Sequence, residues 1–140
     1  GDHQPRINDA SMNALTKGQY KNWNDEEMMR HRYAIPFMIW ANYDIEEAKE
    51  VSISNNYLEN MLLKQAGITL PLYNQYIEKV SQDIPAMNVN GYMDMNGKWH
   101  NYGDSESKTV SSLLHNYEIL QYGYYSDSDK TTMKKLFQWK

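Results

Sequence analysis

The chain has 140 residues, of which 41% are hydrophobic and 23% are charged, as in folded proteins of one domain. A net charge of -4 without a dense Lys/Arg run argues against nucleic acid as a partner, and the lack of cysteine excludes disulfides and thiol nucleophiles. The longest apolar runs are far shorter than the roughly 20 residues that cross a bilayer. The sequence therefore predicts one soluble region over residues 1–140.

The chain begins with Gly1-Asp2-His3, in which two residues can bind a metal ion. An Asp carboxylate and a His imidazole offer an oxygen and a nitrogen ligand. Neighbouring side chains on a regular strand point to opposite faces, so both reach one ion only where the chain bends, as Pro5 favours. Terminal tripeptides are more often expression remnants or disordered ends. These residues alone leave both interpretations open.

The first third of the chain predicts little regular structure before one apolar run. Residues 4–24 are polar and indicate a loop with room for one helical turn. Asn24 followed by Glu27 resembles a capping box and predicts a short helix that continues to Arg32. The continuous apolar and aromatic run that follows predicts a strand over residues 35–42, buried on both faces.

The remaining two thirds alternate between helical and strand-like patterns. Ser54 and either Ser105 or Asp104 are candidate N-caps, Gly67 and Gly123 are candidate helix stops, and Asn96-Gly97 is a typical hairpin turn. The patterns predict helices near residues 54–66, 71–82 and 105–122, a two-stranded hairpin near 87–102, and a short amphipathic helix in the tail. The predicted fold class is α/β.

Several short motifs follow one another in a recognisable order. They are Gly1-Asp2-His3-x-Pro5, Tyr33-x-x-Pro36-Phe37-x-Ile39-Trp40-x-Asn42-Tyr43, Ile53-Ser54-x-Asn56-Tyr57-Leu58, Leu62-Leu63, Ala66-Gly67, Leu70-Pro71-x-Tyr73, Gly91-Tyr92 and Tyr117-Glu118-x-Leu120-Gln121-Tyr122. This ordered set resembles the C-terminal part of bacterial sulfatase-like phosphoglycerol transferases. These are the lipoteichoic acid synthase-like membrane proteins of the alkaline phosphatase superfamily. The resemblance spans nearly the whole chain.

The resemblance implies the C-terminal portion of an extracellular sulfatase-like catalytic domain, tethered to the cell membrane by transmembrane helices upstream of this chain. The parent would use a threonine nucleophile and a divalent cation, commonly manganese with magnesium or calcium as alternatives. It would act on a phospholipid or glycerol phosphate polymer of the cell wall. Only the metal ligands Asp2 and His3 carry over to this chain, and no catalytic residue does. We therefore expect the chain alone to be inactive and not to retain the metal.

Two alternatives remain open. Within the same superfamily the parent could be a sulfatase, whose formylglycine derives from an upstream Cys or Ser. In a different class, the chain could be a non-catalytic extracellular module that binds glycan or protein, because it contains 12 Tyr and 4 Trp. The other histidines, His31, His100 and His115, show no metal-ligand spacing and are assigned no role.

The resemblance to a C-terminal fragment also predicts self-association. If an upstream sheet is missing, the apolar faces that it covered must be exposed, rearranged or buried in a dimer, because large apolar patches are rare on soluble monomers. We expect a homo-oligomer whose sedimentation coefficient rises with protein concentration. A strict monomer at high concentration in sedimentation velocity would contradict this expectation.

Overall fold

The protein is a small mixed α/β structure in which several helices accompany one three-stranded antiparallel sheet. The computed structural model describes residues 5, 7–20, 30–104, 107–126 and 130–138. The chain groups into two compact units, residues 1–42 and 43–140. In chain order the elements are α1 (Asp9–Leu15), a 3₁₀ turn (Asn55–Tyr57), α2 (Leu58–Gln65), α3 (Leu72–Asp83), β1 (Ala86–Asn88), β2 (Gly91–Met93), β3 (Trp99–Asn101), α4 (Lys108–Ser126) and α5 (Lys130–Leu136).

The first unit contains a short helix where the sequence predicted a loop with one helical turn. The Asn8 side chain begins α1 by accepting a hydrogen bond from the Ser11 N–H at 2.8 Å. Met12 is buried on the inner side of α1, together with Tyr20. The short helix predicted to begin at Asn24 lies outside the described residues until its last turn, where residues 30–32 are helical.

The buried strand predicted over residues 35–42 is wrong. Residues 34–41 form neither a helix nor a strand, and Met38 and Trp40 are 87% and 78% exposed. A strand exists only where a neighbour pairs with its backbone groups, and Pro36 offers no N–H for such pairing. The apolar pattern indicated a segment suited to burial, but the described part of the chain provides no strand that pairs with it.

The helices predicted near residues 54–66 and 71–82 are confirmed as α2 and α3. Gly67, with a φ of 69°, follows the end of α2, because a residue without Cβ adopts this left-handed conformation at little cost. A buried amide pair joins the two helices. Asn60 Nδ2 donates to the Asn74 backbone oxygen at 2.7 Å, and Asn74 Nδ2 donates to Asn60 Oδ1 at 2.8 Å.

Ser54 differs from its predicted role as a side-chain N-cap. Its side chain makes no capping hydrogen bond to the following turn. Instead, Ser54 Oγ donates to the Met87 backbone oxygen at 2.8 Å and accepts a hydrogen bond from the Met87 N–H. The serine therefore fastens the start of the helix pair to β1.

The predicted two-stranded hairpin is a three-stranded sheet in the order β1-β2-β3. The Asn96-Gly97 turn lies between β2 and β3 as predicted, with Gly97 at a φ of 77°. The additional strand β1 pairs Ala86 with Met93 and Asn88 with Gly91. The sequence did not reveal β1 because the connection from β1 to β2, Val89-Asn90, lacks a typical turn dipeptide such as Asn96-Gly97.

The helix predicted near residues 105–122 begins and ends later, as α4 from Lys108 to Ser126. Ser107 precedes it, and its Oγ accepts a hydrogen bond from the Val110 N–H at 3.2 Å. Of the predicted caps, Ser105 lies outside the described residues and Asp104 instead accepts from the Asn101 N–H. Gly123 does not end the helix.

Gly123 lets α4 and α5 approach each other closely. A Cβ at this position would lie 3.2 Å from the sulfur of Met133, on α5. Residue pairs on the two helices are in contact, and α5 confirms the helix predicted in the tail. The glycine that resembled a helix stop is thus explained by helix packing.

The core of the second unit lies between α3, α4 and the sheet. Its buried residues are Tyr57, Ile77, Val80, Ile84, Tyr92, Leu113 and Leu114. Tyr57 is 4% exposed, and its hydroxyl donates to the Ile84 backbone oxygen at 2.8 Å. This hydrogen bond satisfies a polar group that burial would otherwise leave without a partner.

Alkaline pH should destabilise the protein through Tyr57. Burial raises the pKa of this phenol above its ordinary value of 10.0, so above pH 10 it ionises in the unfolded chain while the folded chain keeps its proton. The unfolded state then binds fewer protons, and the free energy of unfolding falls by about 1.4 kcal/mol per pH unit for this residue. Urea unfolding at several pH values above 10 should show that the free energy of unfolding falls less steeply with pH in Tyr57→Phe than in the unsubstituted chain.

The matched control is Tyr122→Phe, because Tyr122 is 74% exposed on α4. In this variant we expect the free energy of unfolding to fall with pH as it does in the unsubstituted 140-residue chain, because the lysines and the other tyrosines are unchanged. Equal pH dependence in Tyr57→Phe and the parent protein would contradict the assignment.

Candidate functional site

The two metal ligands predicted from the sequence, Asp2 and His3, lie outside the described residues. Within the described ranges, no group of three or more His, Cys, Asp or Glu side chains is placed to hold a metal ion. Two ligands from one chain are too few for a protein metal site, which usually has at least three. A metal site that includes Asp2 and His3 therefore stays a prediction from the sequence.

The other candidate side chains have separate surroundings. His31 lies beside the Tyr20 ring, with centroids 5.8 Å apart, and His115 is exposed on α4. Thr109, Ser111 and Ser112 are exposed on the first turns of the same helix. These positions fit surface side chains.

His100 belongs to a small polar cluster at the end of the β2–β3 hairpin. Its Nε2 lies 2.9 Å from Asp94 Oδ2, and its ring stacks on Tyr92 at a centroid distance of 5.1 Å. The second Asp94 oxygen accepts hydrogen bonds from the N–H groups of Asn96 and Lys98, at 2.9 and 3.0 Å. Both carboxylate oxygens are thus engaged in holding the turn, which indicates a structural cluster.

A groove on the second unit is the larger candidate site, with a volume of about 920 Å³. It is open, and four helices contribute to its wall. The lining residues are Glu59, Tyr73, Gln121, Gly123, Tyr124, Tyr125, Met133, Lys134, Phe137 and Gln138. This mixture of aromatic rings and a few polar groups is typical of ligand-binding sites.

The aromatic rings in the groove form a continuous row. Phe137 packs against Tyr73 with centroids 4.6 Å apart and against Tyr124 with centroids 5.6 Å apart. Tyr125 follows Tyr124 edge-on at 5.3 Å. Because each ring contacts the next, the row forms one surface rather than a cage around a central ligand.

One end of the row is held by hydrogen bonding. Gln121 Nε2 donates to the Tyr73 hydroxyl at 2.9 Å. Burial, followed by the nearby Tyr117, raises the pKa of Tyr73 to about 12, while the Gln121 hydrogen bond acts in the opposite direction. The Tyr73 phenol is therefore uncharged at neutral pH. Among the described residues that line the groove, the charged side chains are Glu59 and Lys134.

Sequence analysis did not predict this groove. Tyr73, Tyr124 and Phe137 come from three segments far apart in the chain, and no local spacing links them. The abundance of tyrosine was the only signal, and it does not distinguish a core from a surface. The groove depends on the packing of α4 against α5, which Gly123 permits.

Comparisons with protein-family models, curated proteins and solved structures return no match to this chain. Among the helices in the described residues, none is both long enough and apolar enough to cross a membrane. Functional inference therefore depends on the motifs in the sequence and on the contacts described above.

The Asp94 cluster makes a testable prediction about pH. The hydrogen bond from His100, followed by the Lys98 backbone N–H, lowers the pKa of Asp94 below its ordinary value of 3.8. Because the folded-state pKa is lowered, the stabilisation is present above 3.8 and is lost as the pH falls through the folded-state pKa. Carbon-detected NMR titration should give Asp94 a pKa below 3.8. In His100→Ala the pKa of Asp94 should move closer to 3.8.

His115→Ala is the matched control, since it removes an exposed histidine on another element. It should leave the Asp94 titration unchanged. An Asp94 that titrates at or above 3.8 in the parent protein would contradict the role of His100.

Proposed function

We propose that this chain is the C-terminal part of a metal-dependent, extracellular sulfatase-like phosphoglycerol transferase. The observation that carries the proposal is the order of the sequence motifs, from Gly1-Asp2-His3 to the Tyr117–Tyr122 segment. The chain contributes metal ligands and supporting structure, whereas the nucleophile and the donor-binding residues belong to a segment upstream of the motif.

Contacts between distant motifs support the proposal. Asn56 Nδ2 donates to the Tyr117 hydroxyl at 3.2 Å, across 61 positions in the sequence. Gln121, from the same late motif as Tyr117, bonds to Tyr73 from the Leu70-Pro71-x-Tyr73 motif. The residues of these motifs therefore belong to one structural framework in the second unit, as the proposal requires.

The Gly91-Tyr92 motif also has a structural explanation. A Cβ on Gly91 would lie 2.1 Å from the His100 backbone oxygen, which no real side chain could tolerate without backbone movement. Tyr92 is buried in the core beside this glycine. These residues fit a supporting role for the second unit, which is consistent with a C-terminal part that carries no nucleophile.

Asp2 and His3 would act as ligands in the complete enzyme. The Asp2 carboxylate offers an anionic oxygen and the neutral His3 imidazole a nitrogen, a combination suited to manganese or magnesium. When bound, such an ion favours an ionised hydroxyl nucleophile and offsets charge on the phosphoryl oxygens. The remaining ligands would come from the upstream segment.

Activity of the chain extended by its upstream coding segment tests the proposal. We expect manganese-dependent release of glycerol phosphate from a phosphatidylglycerol donor, lost on chelation. Asp2→Ala and His3→Ala should each lower the rate by about 100-fold or more, because loss of a ligand weakens the metal site. His115→Ala is the matched control and should retain full activity. The 140-residue chain alone should show no turnover.

Two results would overturn the proposal. One is an extended protein that is inert toward phosphate and sulfate esters with manganese, magnesium or calcium. The other is substantial phosphodiester hydrolysis by the 140-residue chain. Activity on sulfate esters only, with a Cys or Ser at the upstream nucleophile position, would replace the transferase with a sulfatase.

A further inference from the structure

The aromatic row in the groove exposes more ring surface than packing of the second unit requires. Tyr124 is 58% exposed and Tyr125 is 81% exposed, although both belong to the row that Tyr73 and Phe137 begin. Contiguous exposed aromatic surface commonly marks a binding site. The chemistry of the other lining residues indicates what kind of ligand fits.

The lining argues against a lipid chain or an apolar helix. Among the described lining residues there is no Leu, Ile or Val, and Met133 is the one apolar side chain without a ring. Gln121, Gln138, Glu59 and Lys134 would lose contact with water under an apolar ligand, and each unpaired group would carry a desolvation cost. A ligand for this groove needs hydrogen-bonding groups along its length.

The charges of the lining argue against an ionic ligand. Glu59 and Lys134 contribute one charge of each sign, and the Tyr73 phenol is neutral. A phosphate polymer or a nucleic acid would meet the Glu59 carboxylate, and the described lining residues provide no cluster of cations to offset it. The groove is therefore most complementary to a neutral ligand.

We propose that this groove binds a neutral linear glycan. A pyranose ring has a face of C–H groups and an edge of hydroxyls, and the electron-rich face of an aromatic ring attracts such C–H groups. Tyr124 and Tyr125 each offer an exposed ring to one sugar, and because the two ring planes lie at 88° to each other, a glycan that contacts both bends between them. The hydroxyls bond to the Gln138 and Glu59 side chains at the groove wall. The proposed glycan site goes beyond the proposed enzymatic function.

Isothermal titration of the 140-residue chain with soluble cellulose, chitin and starch oligosaccharides tests the proposal. We expect saturable binding of at least one of them. The variant Tyr124→Ala/Tyr125→Ala should weaken that binding by about tenfold or more, because the sugar loses two stacking surfaces. Tyr122→Ala is the matched control: it removes a tyrosine on the same helix that is 74% exposed and lies outside the groove lining.

Further variants separate this site from the enzymatic proposal and from a folding defect. Asp2→Ala/His3→Ala should leave glycan affinity unchanged while it abolishes activity of the extended protein. The midpoint of thermal unfolding should be the same for the double tyrosine variant and the unsubstituted 140-residue chain. If that variant unfolds, the single change Tyr125→Ala, at the most exposed ring of the row, should still weaken binding.

Three results would overturn the glycan assignment. The first is no binding of any of the three oligosaccharides up to their solubility limit. The second is equal affinity in the parent protein and the folded groove variants. The third is binding of a peptide at Tyr124 and Tyr125 without any glycan binding, which would make the groove a protein-docking site.

Discussion

The second unit depends on three hydrogen bonds, made by two side chains, that fasten its helix pair to the segment leading into the sheet. Ser54 Oγ bonds to both backbone groups of Met87, and the Tyr57 hydroxyl donates to the Ile84 oxygen. Ile84 and Met87 lie where the chain passes from α3 into β1. Ser54 and Tyr57 both precede α2. Loss of either partner would leave a buried polar group unsatisfied, which costs about 1 to 3 kcal/mol. These bonds thereby fix where the sheet lies relative to the helices.

The groove depends on further hydrogen bonds of the same framework, which hold α4 against the 3₁₀ turn and α3. Asn56, next to Tyr57, bonds to Tyr117 on α4, and Gln121 one turn later bonds to Tyr73 on α3. These contacts fix the position and rotation of α4, so that Tyr124 faces Phe137, which directly follows α5. The polar contacts between the sequence motifs are also those that position the aromatic row. A structural framework and a binding surface can therefore share residues.

The sequence predicted those elements whose stability depends on local pattern. The helical spacing of apolar residues predicted α2 and α3, and Asn96-Gly97 predicted the turn between β2 and β3. Prediction from the sequence failed where one residue type can play two structural roles. Ser54 resembles an N-cap but bonds to β1, and Gly123 resembles a helix stop but allows close helix packing. Local chemistry permits both uses, and only the position of a distant partner selects between them.

The sequence by itself determined the α/β class, most helices, the hairpin turn and the motif order on which the proposed function rests. Tertiary structure decided that residues 34–41 are not a strand and that Ser54 joins the helix pair to the sheet. It also decided that four aromatic rings from three segments of the chain line one groove. The physical reason is the range of the interactions. Caps, turns and amphipathic spacing act over a few residues, whereas strand pairing, buried hydrogen bonds and ring stacking require partners that the chain brings together only on folding.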